Sequence, residues 1–337
     1  MICPHCATSL RRKERPNQIC SNCKRPFVFE PKANPLAVHD VKLRGLGEKL
    51  AQEQHRYTVT QLWYAAARKT TLAAQQGGTG CNVIVVPLVL GAVLIGVGLT
   101  GPKPLAAIGG VLVAIGLLVL VLRLSGVVKR QVAVAMPLEQ FRRDLIGGWA
   151  RVYGTLPAGL VDEWQLRPGP PPPSPTFAVL SPDAAVLACL RVNDAERRFN
   201  VALAATIAEL PPQVPVAVLR DASIAGELFL ARTRHELHGR RVIDLGLRPR
   251  GGTGAKGSLL LRTRDRQPDQ IGWLRANTTL TPAELEWLGK GWSAPVAALR
   301  PRQLLARVEK VAAASGRPVD PDERAAAAVG FMTWPGE

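Results

Sequence analysis

Two uncharged apolar stretches constrain this chain more than any other feature. Residues 83–99 and 105–122 contain no Asp, Glu, Lys or Arg, and only Thr100–Pro104 separates them. As helices they would each be about 26 Å long, close to the thickness of a hydrocarbon core. The pattern predicts a transmembrane helical hairpin over residues 82–123. Several glycines offer small surfaces where the two backbones can approach: Gly91, Gly96, Gly98, Gly109, Gly110 and Gly116.

Basic residues flank the predicted hairpin and set its expected orientation. They are Arg68, Lys69, Arg123, Lys129 and Arg130, whereas the link carries only Lys103. By the positive-inside rule, both termini are expected to be cytoplasmic in a multi-pass protein of a bacterial cytoplasmic (inner) membrane. Because neither stretch contains an ionisable side chain, the hairpin is expected to anchor rather than to conduct.

The chain is strongly basic, with 43 Lys and Arg against 26 Asp and Glu and a formal net charge of +17. Such an excess attracts anionic lipid, nucleic acid or acidic proteins. It also suits a membrane protein whose cytoplasmic side fixes its topology. The expected partners are therefore the lipid bilayer and a protein, with nucleic acid as a further candidate through the basic N-terminal segment.

Two closely spaced cysteine pairs stand near the N-terminus. Cys3-Pro-His-Cys6 is followed after thirteen residues by Cys20-Ser-Asn-Cys23. A two-residue spacing lets both thiolates of a pair face one tetrahedral ion. The pattern predicts Cys3, Cys6, Cys20 and Cys23 as the metal ligands and Zn²⁺ as the cofactor, with His5 as a bystander. A redox dithiol is the alternative.

This pattern resembles the short zinc ribbons found at the ends of many bacterial proteins, and it covers residues 1–30. The resemblance implies a structural ion without an open coordination position, in a unit too small to fold without metal. Whether such a ribbon binds protein or nucleic acid is left open.

A helical pair is predicted over residues 36–75. Its first helix covers residues 39–51, and its second opens near Tyr57, where Thr58 and Gln61 fit a capping box. The pair is either a helix-turn-helix or an ordinary pair packed under the ribbon.

Residues 136–167 are expected to form a juxtamembrane helix and a linker. The helix, over residues 136–153, would lie in the headgroup plane or pack against the C-terminal domain. The Pro-rich linker 168–175 marks a boundary.

The last segment, 176–337, is predicted to be a cytoplasmic α/β domain with a mostly parallel sheet, because short apolar runs alternate with helical patterns. The predicted strands are Phe177–Leu180, Phe199–Ala204, Val214–Leu219 and Arg241–Leu245. Ser181 is expected to cap the first helix. Further helices are expected to start at Thr281 and to cover residues 301–314.

The first strand, its capped helix and a later strand that ends in Asp221-Ala-Ser223 resemble a toprim domain, the metal-binding fold of topoisomerases and primases. Tyr57–Tyr64 is similar to the helix that bears the nucleophilic tyrosine in type IIB topoisomerase A subunits. The resemblance implies magnesium-dependent chemistry on nucleic acid. The chain departs from it at Ser181 and Ser223, where that family has acidic residues, which leaves Asp221 and Asp183 as candidate ligands.

No catalytic residue, cofactor-binding residue or small-molecule substrate is identified in the sequence. The favoured hypothesis is a membrane-anchored zinc-ribbon protein that acts as a non-catalytic cytoplasmic binding or scaffolding module rather than as an enzyme. The alternatives are a degenerate toprim-like nucleic-acid enzyme and a membrane-tethered DNA binder.

Overall fold

A computed structural model describes residues 1–52, 54–76, 82–124, 131–167, 169–249, 259–265 and 267–315. Within the N-terminal ribbon, short 3-10 turns cover Arg12–Glu14 and Pro16–Gln18. Two helices follow, α1 over Asp40–Ala51 and α2 over Val59–Gln76.

The predicted capping box opens α2. The Gln61 N–H donates to Thr58 Oγ1 at 3.2 Å, and the Thr58 N–H donates to Gln61 Oε1 at 3.0 Å. Just before the helix, strand β1 (Tyr57–Thr58) pairs in parallel with β2 (Leu160–Val161). The segment after the hairpin therefore returns to the N-terminal helices.

The amphipathic segment after the hairpin forms α5 (Leu138–Arg143), a π-helical turn (Asp144–Gly148) and α6 (Trp149–Tyr153). Its apolar stripe is buried in the cluster that α1 and α2 also form. This helix therefore packs on the helical pair rather than on the C-terminal domain. The pair itself is packed under the ribbon, since Phe29 belongs to the same cluster.

Helices α3 (Asn82–Thr100) and α4 (Lys103–Leu124) pack against each other as a hairpin. A Cβ atom added to Gly91 would lie only 2.8 Å from the carbonyl oxygen of Gly109. Only glycine leaves room for such a backbone contact, so the predicted close approach is confirmed at these two positions.

The prediction that this hairpin crosses a membrane is contradicted. In the described part of the chain, no helix combines the length and the apolar character that a membrane span requires. The transmembrane fold class and the multi-pass inner-membrane location are corrected accordingly.

The C-terminal domain contains the predicted parallel sheet. Its strands are β3 (Phe177–Leu180), β4 (Val201–Ala204), β5 (Val216–Val218) and β6 (Val242–Asp244), in the order β4-β3-β5-β6 with all pairs parallel. All residues of β3 and β5 are buried. Both lie centrally, which explains their continuous apolar sequences.

Helices cover both faces of this sheet. Helices α7 (Ala184–Val192) and α12 (Pro301–Ser315) pack on the face that carries Val179 and Ala217. Helix α9 (Ile224–Glu236) packs on the face that carries Leu180, Val216 and Val218. A short helix, α8 (Ala195–Arg198), connects α7 to β4.

The cap of α7 differs from the prediction. Asp183, and not Ser181, is the N-cap, because its Oδ1 accepts the Ala185 N–H at 2.8 Å. The predicted helix start at Thr281 is confirmed by a capping box with Glu284.

A smaller part of the domain packs beside α9. It contains α10 (Pro268–Asn277), α11 (Pro282–Gly289) and an antiparallel pair of strands, β7 (Leu261–Arg262) and β8 (Trp292–Ser293).

The N-terminal helices contact the C-terminal domain directly. Asn193 accepts the Arg56 N–H at 2.9 Å and donates to the Arg56 carbonyl at 2.8 Å. Gln61 Nε2 donates to the Leu299 carbonyl at 3.0 Å. These contacts hold the start of α2 against the C-terminal end of α7 and the segment just before α12.

Candidate metal centre

The four N-terminal cysteines converge on one point. All four Sγ atoms lie within 4.8 Å of one another. The Cys3–Cys23 and Cys6–Cys20 sulfur distances are both 3.8 Å. A disulfide bond would be about 2.05 Å long, so neither pair is bonded. The structure thus brings together the four side chains predicted as ligands.

The sulfur spacing matches a tetrahedral thiolate site. With Zn–S bonds of about 2.3 Å, the edge of a regular tetrahedron is about 3.8 Å. The Cys3–Cys23 and Cys6–Cys20 sulfur distances both have this value. Four thiolates complete such a shell, so the site fits a structural ion and leaves no position for a substrate.

Two equivalent knuckles hold the cysteines, with corresponding residues 17 positions apart. The Ala7 N–H donates to the Cys3 carbonyl at 3.1 Å, and the Lys24 N–H donates to the Cys20 carbonyl at 2.9 Å. Ala7 and Lys24 both have φ of 57°. This left-handed turn after each pair reverses the chain and directs both thiols of a knuckle to the same point.

Local hydrogen bonds favour the thiolate at Cys6. The Thr8 hydroxyl lies 3.4 Å from its Sγ, and Asn22 Nδ2 lies 3.6 Å from the same atom. The Thr8 side chain and backbone lower the pKa of Cys6 to about 5. Burial instead raises the pKa of Cys3 to about 12. A divalent cation would favour the deprotonated form of both, because metal ligation requires thiolates.

His5 lies beside the site and does not belong to the group of potential ligands, which consists of the four cysteines among the described residues. Its Nε2 is 2.8 Å from the Pro26 carbonyl oxygen, and its ring stacks on Tyr153 with centroids 5.3 Å apart. These contacts occupy the ring and attach the ribbon to α6.

A buried carboxylate fixes the ribbon to the helices beneath it. Asp40, at the start of α1, is fully buried and accepts the N–H groups of Val28 and Phe29, each at 2.8 Å. The Tyr153 hydroxyl donates to the same carboxylate at 2.5 Å. The C-terminal end of the ribbon, α1 and α6 therefore meet at one side chain.

The candidate toprim carboxylates lie at the ends of the central strands. Asp183 caps α7. Asp221 Oδ1 accepts the Val296 N–H at 2.7 Å. Burial, together with the charge of Asp183, raises the pKa of Asp221 to about 6. The two carboxylates are close enough for their charges to interact, but each already accepts a hydrogen bond from a backbone N–H group.

Tyr64 of α2 faces this pair, and its environment opposes nucleophilic chemistry. Burial raises the pKa of Tyr64, and the charges of Asp221 and Asp183 raise it further. Among the described residues, the four cysteines are the only group of three or more potential ligands close enough to share an ion. A magnesium site of the toprim kind therefore lacks a third ligand there.

Sequence reasoning missed several buried charged groups. Glu163 accepts the Val59 and Thr60 N–H groups at the start of α2, although 103 positions separate it from Thr60. Arg220 lies 2.7 Å from Glu227 and 2.9 Å from Asp244. No local pattern signals these pairs, because the partners are distant in sequence and meet only after folding.

Comparisons with protein-family models, with curated proteins and with solved structures find no match to this chain. The toprim resemblance therefore has no support from any of them.

Proposed function

We propose that this chain is a zinc-ribbon protein that acts as a non-catalytic binding module, with the ribbon as its docking element. The observation that supports the proposal most is the tetrahedral spacing of the four cysteine sulfurs. Soft thiolate ligands in tetrahedral geometry favour Zn²⁺ or an iron–sulfur centre, and two knuckles around one ion are typical of structural zinc.

The absence of an assembled catalytic group among the described residues supports a binding role. Asp183 accepts hydrogen bonds from backbone N–H groups at the start of α7, and Asp221 accepts one from the Val296 N–H. Glu163 likewise accepts backbone N–H groups at the start of α2. These carboxylates position helices and loops, which is a structural task.

The exposed face of the ribbon carries unbalanced positive charge. Its acidic side chains are engaged, since Glu14 accepts the Arg11 N–H at 2.7 Å and Glu30 pairs with Arg15 at 2.6 Å. Five exposed cations remain: Arg11, Arg12, Lys13, Lys24 and Arg25.

Two exposed isoleucines add an apolar contact to this surface. Ile2 is 49% exposed and Ile19 is 40% exposed, and they occupy equivalent positions of the two knuckles. We call the five cations and the two isoleucines the ribbon face. Its combination of charge and apolar surface suits an acidic protein segment that carries a large apolar side chain.

Comparative affinity purification of the full-length, zinc-loaded protein tests this role. Charge reversal at Lys24→Glu and Arg25→Glu is expected to remove a protein that the unmodified chain retains. The matched control is Arg197→Glu with Arg198→Glu, an exposed pair on α8, which should retain it.

Two outcomes would contradict the proposal. One is a set of bound proteins that is unchanged by reversal of the ribbon charges. The other is binding that nuclease treatment abolishes, which would identify nucleic acid as the ligand of the ribbon face.

A further inference from the structure

A large cleft lies beside α9 in the C-terminal domain. It encloses about 1040 Å³ and is bordered by α9, α10, α11 and the segment after β6. Arg220, just after β5, and Asp244, the last residue of β6, line it. In open parallel sheets, ligands bind outside the carboxyl ends of the strands, and Arg220 and Asp244 place one end of this cleft there.

The cleft presents cations that are available to a ligand. Arg232 and Arg234 of α9, and Arg248 after β6, line it and are exposed. In the part of the chain that the structure describes, none of the three forms an ion pair or a side-chain hydrogen bond. They can therefore bind an anion without breaking an existing contact.

Most carboxylates of the cleft are already neutralised or bonded. Glu227 and Asp244 pair with Arg220. Glu284 accepts the N–H and the hydroxyl of Thr281 at 2.8 and 2.9 Å. The four arginines and four carboxylates of the cleft balance formally, but Arg232, Arg234 and Arg248 form no ion pair with a carboxylate of the described residues.

One wall of the cleft is an exposed aromatic ring. Trp273 of α10 lines the cleft and is 45% exposed, although large aromatic side chains are usually covered. An accessible indole ring is a stacking platform for a planar base.

The floor of the cleft contains a donor without an internal acceptor. Arg220 is 2% exposed, and its Nε atom has no hydrogen-bond partner among the described residues. A buried donor of this kind is costly unless a ligand or water accepts from it. Gln270, Asn277, Thr278 and Thr279 add neutral polar groups around it.

We propose that this cleft binds a nucleoside polyphosphate, with the base stacked on Trp273 and the phosphates held by Arg232, Arg234 and Arg248. The cleft volume matches that of small-molecule sites in proteins, which reach about 1,000 Å³. A simple inorganic anion would bind the arginines but would make no stacking contact with Trp273. This site is separate from the ribbon and does not depend on its role.

Isothermal titration calorimetry of the full-length, zinc-loaded protein with ATP, adenosine and pyrophosphate tests the proposal. We expect ATP to bind and the other two to bind at least about tenfold more weakly, since each lacks one half of the ligand. Trp273→Ala should weaken ATP binding about 5- to 100-fold. Arg232→Glu with Arg248→Glu should abolish it.

Matched controls lie outside the cleft. Trp164→Ala removes another exposed indole, and Arg275→Glu reverses an exposed charge on α10 itself. Both should leave the affinity for ATP unchanged. The proposal is overturned if ATP does not bind, if Trp273→Ala has no effect, or if pyrophosphate binds as tightly as ATP.

Discussion

The ribbon and the parallel sheet of the C-terminal domain are stabilised in opposite ways. The ribbon has a buried cluster of Cys3, Leu10 and Cys20, so two of its three members are candidate metal ligands. In the sheet, every residue of β3 is buried and helices cover both faces. We expect the first unit to depend on a bound ion and the second on apolar burial, so perturbations should separate them.

Removal of the metal should have the largest effect, and only on the ribbon. The Cys20→Ser, Cys23→Ser double variant loses two ligands, and structural zinc contributes about 10–16 kcal/mol in small zinc-finger peptides. Hydrogen–deuterium exchange should lose protection over residues 1–30 while β3 and β5 keep theirs. Equal loss in both units would refute the contrast.

Truncation of a sheet residue should have the converse effect. Phe177 of β3 is fully buried, and Phe177→Ala should lower the free energy of unfolding by about 3–5 kcal/mol. Zinc content should be unchanged. The half-buried Phe199 is the matched control, and Phe199→Ala should cost clearly less in the same urea titration. Similar values for the two variants would argue against burial as the source of stability.

Asp40→Asn should loosen the junction between the ribbon and the helices. One acceptor oxygen is lost where the Val28 and Phe29 N–H groups and the Tyr153 hydroxyl are all bonded. A loss of about 1–3 kcal/mol is expected in thermal or urea unfolding, with zinc retained. Asp194→Asn, at an exposed carboxylate without a cap hydrogen bond, should be neutral. Loss of zinc from Asp40→Asn would show that the ribbon cannot fold without this contact.

The buried Asp221 should make the C-terminal domain less stable as the pH rises. Its pKa is raised from 3.8 to about 6 by burial. The folded state therefore binds more protons than the unfolded state between these values, and stability falls as the pH rises through that window. In urea titrations at pH 4 and pH 6, Asp221→Asn should reduce the pH-dependent change in the free energy of unfolding by about 1–3 kcal/mol. An unchanged pH profile would contradict the assignment.

The smallest effect is expected at the knuckle turn. Ala7 has φ of 57°, a left-handed conformation that costs a non-glycine residue about 1–2 kcal/mol. Ala7→Gly relieves this strain but increases the entropy of the unfolded chain, so a net gain of at most ~1 kcal/mol is expected. Because folding and metal binding are linked, the apparent zinc affinity should rise up to about fivefold. A weaker affinity would show that the turn is not strained.

Local patterns predicted much of the fold. The four strands were readable from apolar runs, and the capping boxes at Thr58 and Thr281 from side chains that bond within one helical turn. The candidate ligands were also predictable, because the two cysteines of each knuckle are only three positions apart in sequence. The parallel sheet followed from the helices that alternate with the strands.

Contacts between distant segments escaped prediction. The apolar stripe of α5 and α6 was visible in the sequence, but its packing partner was not. That partner is the pair α1 and α2, which lies 60 or more residues earlier in the chain. Ser181 and Asp183 both suit an N-cap, and only the hydrogen bond to Ala185 decides between them. In the hairpin, the absence of charge predicted a membrane span, but no helix in the described part of the chain combines the length and the apolar character that a span requires.

The most direct test of the central claim is the metal content of the purified full-length protein, measured by inductively coupled plasma mass spectrometry. The account predicts a single zinc ion per chain, held by the Cys3, Cys6, Cys20 and Cys23 thiolates. Cys20→Ser should release it, whereas Cys189→Ser, at a buried cysteine far from the site, should not. A chain without zinc, or a Cys20→Ser variant that keeps its full zinc content, would contradict the account.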